Sequence, residues 1–349
     1  MPGLSGTEIK CAVKKASVWG TAVACGANNG ILLLPTSIKR DADIFTDGSM
    51  GIPYTKEGIP GPVKVEGDKP AYLRYDGLDL LFAMYMGTAG APTLQGSGAY
   101  AFTYKVKQLL DGLFFSYAQN MKNYIAEYPS VKCVGITIKG EVGAKPLEVT
   151  FQVIINDKVV NSAINTTATF ANVTFFEELN SVRFSEGVYR MNAQSGAALA
   201  GGDTIYPAAF DFTSKRKDKG EYSTKYKTAT NQELIDEPAS DGSMDTTLKL
   251  TFPRHVASTY IADVISDARK KLDMTFTGAL IGGSYYRQFK LQFPNLQLKN
   301  VDPVDAQGNI KEPLEFIVHG CLTAPSGMTG LTDPFWISGI NRLSTDPLA

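Results

Sequence analysis

At 349 residues the chain exceeds the ~250–300 over which a single apolar core keeps growing, so two cores or one long composite sheet are expected. Hydrophobic residues at 44% and charged residues at 20% describe an ordinary folded protein. A formal net charge of −1 removes the electrostatic case for wrapping nucleic acid or coating an acidic membrane, and 33 Gly, 16 Tyr and 18 Phe favour strands joined by many turns.

Residues 1–20 are polar and lack the apolar segment of a signal peptide. The longest apolar runs, 31–34 and 80–86, fall far short of the ~20 residues a membrane helix needs, so a cytoplasmic site of synthesis and no membrane partner are expected. Glycines and prolines punctuate residues 20–75, which read as a long loop carrying an arm over 40–62. Trp19, Phe45, Tyr54 and the apolar run 31–34 argue against a disordered tail there.

A strand over 63–75 then leads into a helix over 78–86. Asp76 is placed to cap that helix, Asp79 to favour its positive end, and Gly87 to take the C′ position. Its apolar residues cover nearly the whole circumference, which predicts burial on several sides, in the chain's own core or between subunits. Alternation over 131–138 and the segment 146–151 predict a hairpin, and the Ser/Thr/Asn-rich stretch 160–169 marks a boundary between units at 1–160 and 170–349. The basic run 215–219 reads as a solvated hairpin tip between 210–212 and 221–227.

In the second half a strand over 247–252 leads into a helix over 256–272. Val256, Tyr260, Ile261, Val264, Ile265, Ala268 and Leu272 share one stripe there. Arg269, Lys270 and Lys271 suit its negative end. Strands over 286–298 and 313–318 follow. The element order of the first half thus recurs in the second. Pro146-Leu147-Glu148 is matched by Pro313-Leu314-Glu315, and an Asp-Gly-Ser-Met tetrapeptide begins at both Asp47 and Asp241.

Chemistry is sparse. Cys11, Cys25, Cys133 and Cys321 form no CxxC pair and are expected as reduced, mostly buried thiols. His255 and His319 stand in no short metal-ligand spacing. The match Gly96-Ser97-Gly98-Ala99-Tyr100-Ala101 to a dinucleotide fingerprint has a helix before it and a strand after, the reverse of what a pyrophosphate site needs, so it is a turn. No catalytic residue, cofactor or metal ligand is assigned, and the chain is expected to be a building block rather than an enzyme.

Trp19-Gly20-Thr21 followed by Cys25-Gly26-Ala27-Asn28-Asn29-Gly30 resembles the opening of tail tube proteins of long-tailed bacteriophages. So do the stretch 77–90, the strand opened by Tyr100 and Phe102, the hairpin 133–138 with 146–151, and the late segment 276–318. The resemblance implies a mainly β fold with flanking helices, here a duplicated tail-tube-like β-sandwich or barrel unit. It also implies rings stacked into a tube in the virion tail, through which DNA passes without specific binding. A chain with two units closes the ring as a trimer with pseudo-sixfold symmetry; a hexamer returns if the repeat is illusory. The implied partners are further copies of the chain, tape-measure protein and tail-end proteins.

Arms over 40–62 and 197–242 would bridge rings. The contact candidates are Trp19, Ile44, Phe45, Ile52, Tyr54 and Ile59, with Leu81, Phe82 and Tyr85 on the first helix. A tail terminator or baseplate-proximal ring protein is the alternative. A carbohydrate- or receptor-binding β protein is a third reading, weakened by there being only two tryptophans, Trp19 and Trp336.

Overall fold

The computed structural model describes residues 6–35, 38–49, 54, 58–176, 180–222, 234, 236–254, 259–301 and 311–349. With 51% strand and 9% helix the protein is mainly β, built on one large antiparallel sheet with few helices. No closed barrel forms among the described residues.

The first half contains β1 (Lys10–Ala16), β2 (Gly30–Ile31), β3 (Lys39–Thr46), β4 (Gly58–Tyr72) and helix α1 (Asp79–Met86). It continues with β5 (Gly87–Thr88), β6 (Thr93–Gly96), β7 (Ala99–Val106), β8 (Phe114–Asn120), β9 (Ile125–Glu141), β10 (Glu148–Ile155) and β11 (Val159–Val160). After the short helix α2 (Thr167–Ala171) come β12 (Gly187–Ala193), β13 (Thr204–Ile205), β14 (Ala209–Lys215), β15 (Asp218–Lys219), β16 (Ala239–Ser240) and β17 (Asp245–Phe252). Helix α3 (Thr259–Ile265), β18 (Arg269–Gly282), β19 (Tyr285–Asn300), β20 (Glu312–His319) and β21 (Trp336–Asn341) complete the chain.

Two runs of the sheet have the same strand order. The first is β2-β1-β8-β9-β10-β4-β3. The second is β13-β12-β18-β19-β20-β17-β14. Taken along the chain, these strands follow the same sequence in each half, every pairing is antiparallel, and a helix separates the fourth strand from the fifth. β11 and β21 then add beside β9 and β19. The two Pro-Leu-Glu segments sit alike: Glu148 lies between Tyr72 and Lys139, and Glu315 between Lys249 and Asn300. The insertions are β5, β6 and β7 in the first run and β15 with β16 in the second.

The two runs are not separate bodies. β14 of the second pairs with β9 of the first, Phe212 facing Ile138, and β7 of the first pairs with β21 of the second. One continuous apolar core therefore spans residues expected to form two units. Phe212 is fully buried with its ring edge-on to Phe293 (5.2 Å) and Phe335 (4.9 Å), and Phe82 of α1 lies 5.7 Å from Phe289. Alternation does the local work: in β10 and β20 every second side chain is buried, as a strand with one face on a core requires.

Helix α1 packs on β7 and β9, and Leu81, Phe82, Ala83, Met84, Tyr85 and Met86 are all buried. Its apolar circumference is thus satisfied inside the chain's own core. Gly87 ends it in the left-handed region (φ 83°), where a Cβ would stand 2.3 Å from Leu110 Cδ2. Asp76 does not cap it. That carboxylate is buried against Arg287 Nε (2.9 Å) and accepts from the Arg342 amide (3.0 Å), tying the helix entry to β19 and to the chain after β21.

Three further expectations are corrected. The loop over 20–75 contains β2, β3 and the 15-residue β4; Gly and Pro there accompany a protruding hairpin rather than replace regular structure. The helix over 256–272 ends at Ile265. Asp267 then takes a left-handed φ of 49°, and Leu272 is an inward residue of β18 opposite Phe293, a position that fits a helical stripe and a strand face equally well. The run 215–219 is not a solvated tip: Asp218 and Lys219 pair with Ser240 and Ala239, and Arg216 is held against α1. His255 and residues 223–227 lie outside the described residues.

Candidate assembly surface

Lys39–Thr46 of β3 pairs with β4 from Gly58 to Glu66, while β4 joins β10 only from Val65 onward. The hairpin therefore projects past the sheet, and every residue of β3 is exposed. A register shift between Ala42 and Ile44 puts Ile44 opposite Pro60 and Phe45 opposite Ile59. Ile44, Phe45 and Ile59 are all more than half exposed, as is Tyr54. At its base Arg40 meets Asp157 (3.6 Å). Soluble chains seldom carry an apolar strand tip into water unless a partner covers it.

The second half has a corresponding hairpin, with a different fate. β14 lies along β9 with β17 on its far side, the β15–β16 pair follows, and the Arg216 amide donates to Val134 O (2.7 Å). The Arg216 guanidinium donates to the carbonyls of Tyr85 (3.2 Å), Lys107 (2.7 Å) and Gln108 (3.2 Å), close to the negative end of α1. Beside it Lys132 of β9 is almost fully buried. Its Nζ donates to Glu237 Oε1 (2.8 Å) and Pro238 O (2.7 Å) and stands 4.0 Å from Asp218 Oδ2. Burial pushes the Asp218 carboxyl above its ordinary value, while Lys132 and Arg216 pull it down. Trp19 closes this region, edge-on to Phe114 (5.2 Å) with Nε1 donating to Leu234 O (3.4 Å).

An open groove of about 730 Å³ lies between β1, the start of α1 and residues 342–349. Its buried carboxylate, Asp79, is already held by Tyr104 Oη (2.7 Å), Asn341 Nδ2 (2.8 Å) and the Gly77 amide (3.2 Å). Burial raises its pKa. Among the described residues no group of three or more His, Cys, Asp or Glu converges to hold a metal ion. His319 Nε2 lies 2.9 Å from Gln297 Oε1, a contact inside the sheet. No helix among the described residues is long and apolar enough to cross a membrane. No protein-family model matches the chain, and no curated protein matches it.

The contact candidates divide cleanly. Ile44, Phe45 and Ile59 come together on the projecting hairpin, and Tyr54 is exposed in the segment joining its strands. Ile52 lies outside the described residues. Leu81, Phe82 and Tyr85 are core residues, and Trp19 is half-buried against the chain's own second half. The Lys132–Asp218–Glu237 cluster went unread in the sequence. Its one signal was a lysine in sequence alternation with Val134, Ile136 and Ile138, where an unpaired charge is costly, although the bulge at Val134 gives the core face of Ile136 and Ile138 to Cys133 instead.

Proposed function

We propose that the chain is a structural subunit of the tail tube of a long-tailed bacteriophage, three copies closing a pseudo-sixfold ring and rings stacking through the β3–β4 hairpin. The observation that carries this reading is the strand order repeated within one chain, which supplies two similar units for six similar slots. The projecting apolar hairpin supports the stacking step, since burial against the next ring would remove it from water. A formal net charge of −1 suits a conduit that must let DNA slide, because each cationic phosphate contact would retain it.

Negative-stain microscopy of the purified protein at rising concentration tests the reading. Hollow rings or tubes with threefold features are expected. Small monodisperse particles at every concentration would refute the tube assignment and favour a terminator, and sixfold rings of six chains would refute the trimer.

A further inference from the structure

The seam between the halves brings a lysine and two carboxyl groups from three segments of the chain to one point. Lys132, 1% exposed, projects from β9; Asp218 belongs to β15, and Glu237 precedes β16. Among the described residues Asp218 Oδ2 has no hydrogen-bond partner although it is buried, and Lys132 Nζ is 4.0 Å away. Glu237 Oε1 holds the same Nζ at 2.8 Å and keeps one-fifth of its side chain open to solvent.

We propose that Lys132 and Asp218 condense into an isopeptide bond, with Glu237 carrying the proton, so that β9 is covalently stapled to the hairpin of the second half. Glu237 accepts a proton from the ammonium and frees the Nζ lone pair. Nζ adds to Cγ of Asp218, and the charge that develops on the carboxyl oxygens lies within the field of the Arg216 cation. Glu237 returns its proton to the departing oxygen. The N–C bond forms, a C–O bond breaks, and that oxygen leaves as water with two protons from the ammonium, so nothing is oxidised or reduced.

The setting favours this step over a permanent ion pair. Burial raises the Asp218 pKa, so its carboxylate is held at a cost that conversion to a neutral amide removes. A second acceptor, Pro238 O, fixes Nζ with the Asp218 carboxylate 4.0 Å away, so a small approach brings amine and carboxyl to the ~3–3.5 Å at which intramolecular reactions gain most. The inference stands on the seam alone and does not need the tube reading.

Intact-mass spectrometry of the purified full chain is the test. The folded protein is expected about 18 Da lighter than its sequence mass, the loss of one water, with a branched peptide joining the segments around Lys132 and Asp218. Asp218→Ala and Lys132→Arg are expected at their full sequence masses. A wild-type mass equal to the sequence mass overturns the proposal, as does a deficit that persists in Asp218→Ala. Should the seam variants fold poorly, the wild-type mass and the branched peptide decide alone. Glu237→Gln is expected to retain the water; the same deficit reached at the wild-type rate would overturn its role as proton carrier.

Discussion

Phe45 and Ile59 face each other on the projecting hairpin, 64% and 63% exposed, so replacing both with Ser separates assembly from folding. Fully burying a Phe or Ile side chain is worth about 1.5–3 kcal/mol, and with roughly two-thirds of each still exposed, about 1–2 kcal/mol per residue remains to be gained at a contact. On the proposed stacking the pair contributes about 2–4 kcal/mol per subunit, so its loss should raise the concentration needed for assembly by roughly 30- to 1,000-fold. The subunit's own stability should change by no more than about 0.5 kcal/mol per site, as for other exposed positions. Sedimentation over a concentration series gives the assembly threshold, and circular dichroism gives the melting temperature. Tubes from the double variant at the wild-type threshold would refute the stacking role. A fall of several degrees in melting temperature would show instead that the hairpin tip belongs to the subunit's own core.

Phe212→Ala should cost about 3–5 kcal/mol in urea unfolding, because the ring is fully buried between Phe293 and Phe335; a cost under about 1 kcal/mol would show that the seam collapses around the cavity. Gly87→Ala should lose about 1–3 kcal/mol by the same measure, from the left-handed φ and the overlap with Leu110, and an unchanged midpoint would contradict that geometry. Lys69 lies buried over the Tyr117 ring at 4.4 Å, and burial lowers its pKa from 10.5 to about 8. The unfolded chain therefore holds more protons than the folded one between about pH 8 and 10.5, and this lysine's penalty, up to about 3 kcal/mol, is full below pH 8 and fades as pH rises. Lys69→Met should thus exceed wild type most at pH 7 and by less at pH 9.5; a difference independent of pH would rule out the buried charge as its cause.

Local pattern carried much of the fold. The first helix was legible because seven apolar residues out of eight, closed by a glycine, leave little choice of structure. The strands over 131–138, 286–298 and 313–318 were legible from alternation, and their order exposed the twofold run of the sheet. Leu272 shows where pattern fails, since one residue on an apolar stripe satisfies either period until a neighbouring strand selects it. Pairings between distant segments were also hidden: nothing local says that β14 completes the edge of β9, so neither the shared core nor the place of Lys132 beside Asp218 could be read. On the assembly surface, exposure was legible for the hairpin and not for α1, whose all-apolar circumference suits a core and an interface alike.

The place of β21 bears on how the protein is made. It lies between β7 and β19, and some 230 residues separate it from β7 along the chain. At translation rates of about 5–20 residues per second, β7 leaves the ribosome roughly 10–50 seconds before the strand that covers its edge. The amino-terminal half consequently spends its early life with that edge open, and β9 likewise waits for β14. Folding to completion is governed by long-range closure, which makes the nascent chain a natural client for chaperones and leaves truncated products prone to aggregate.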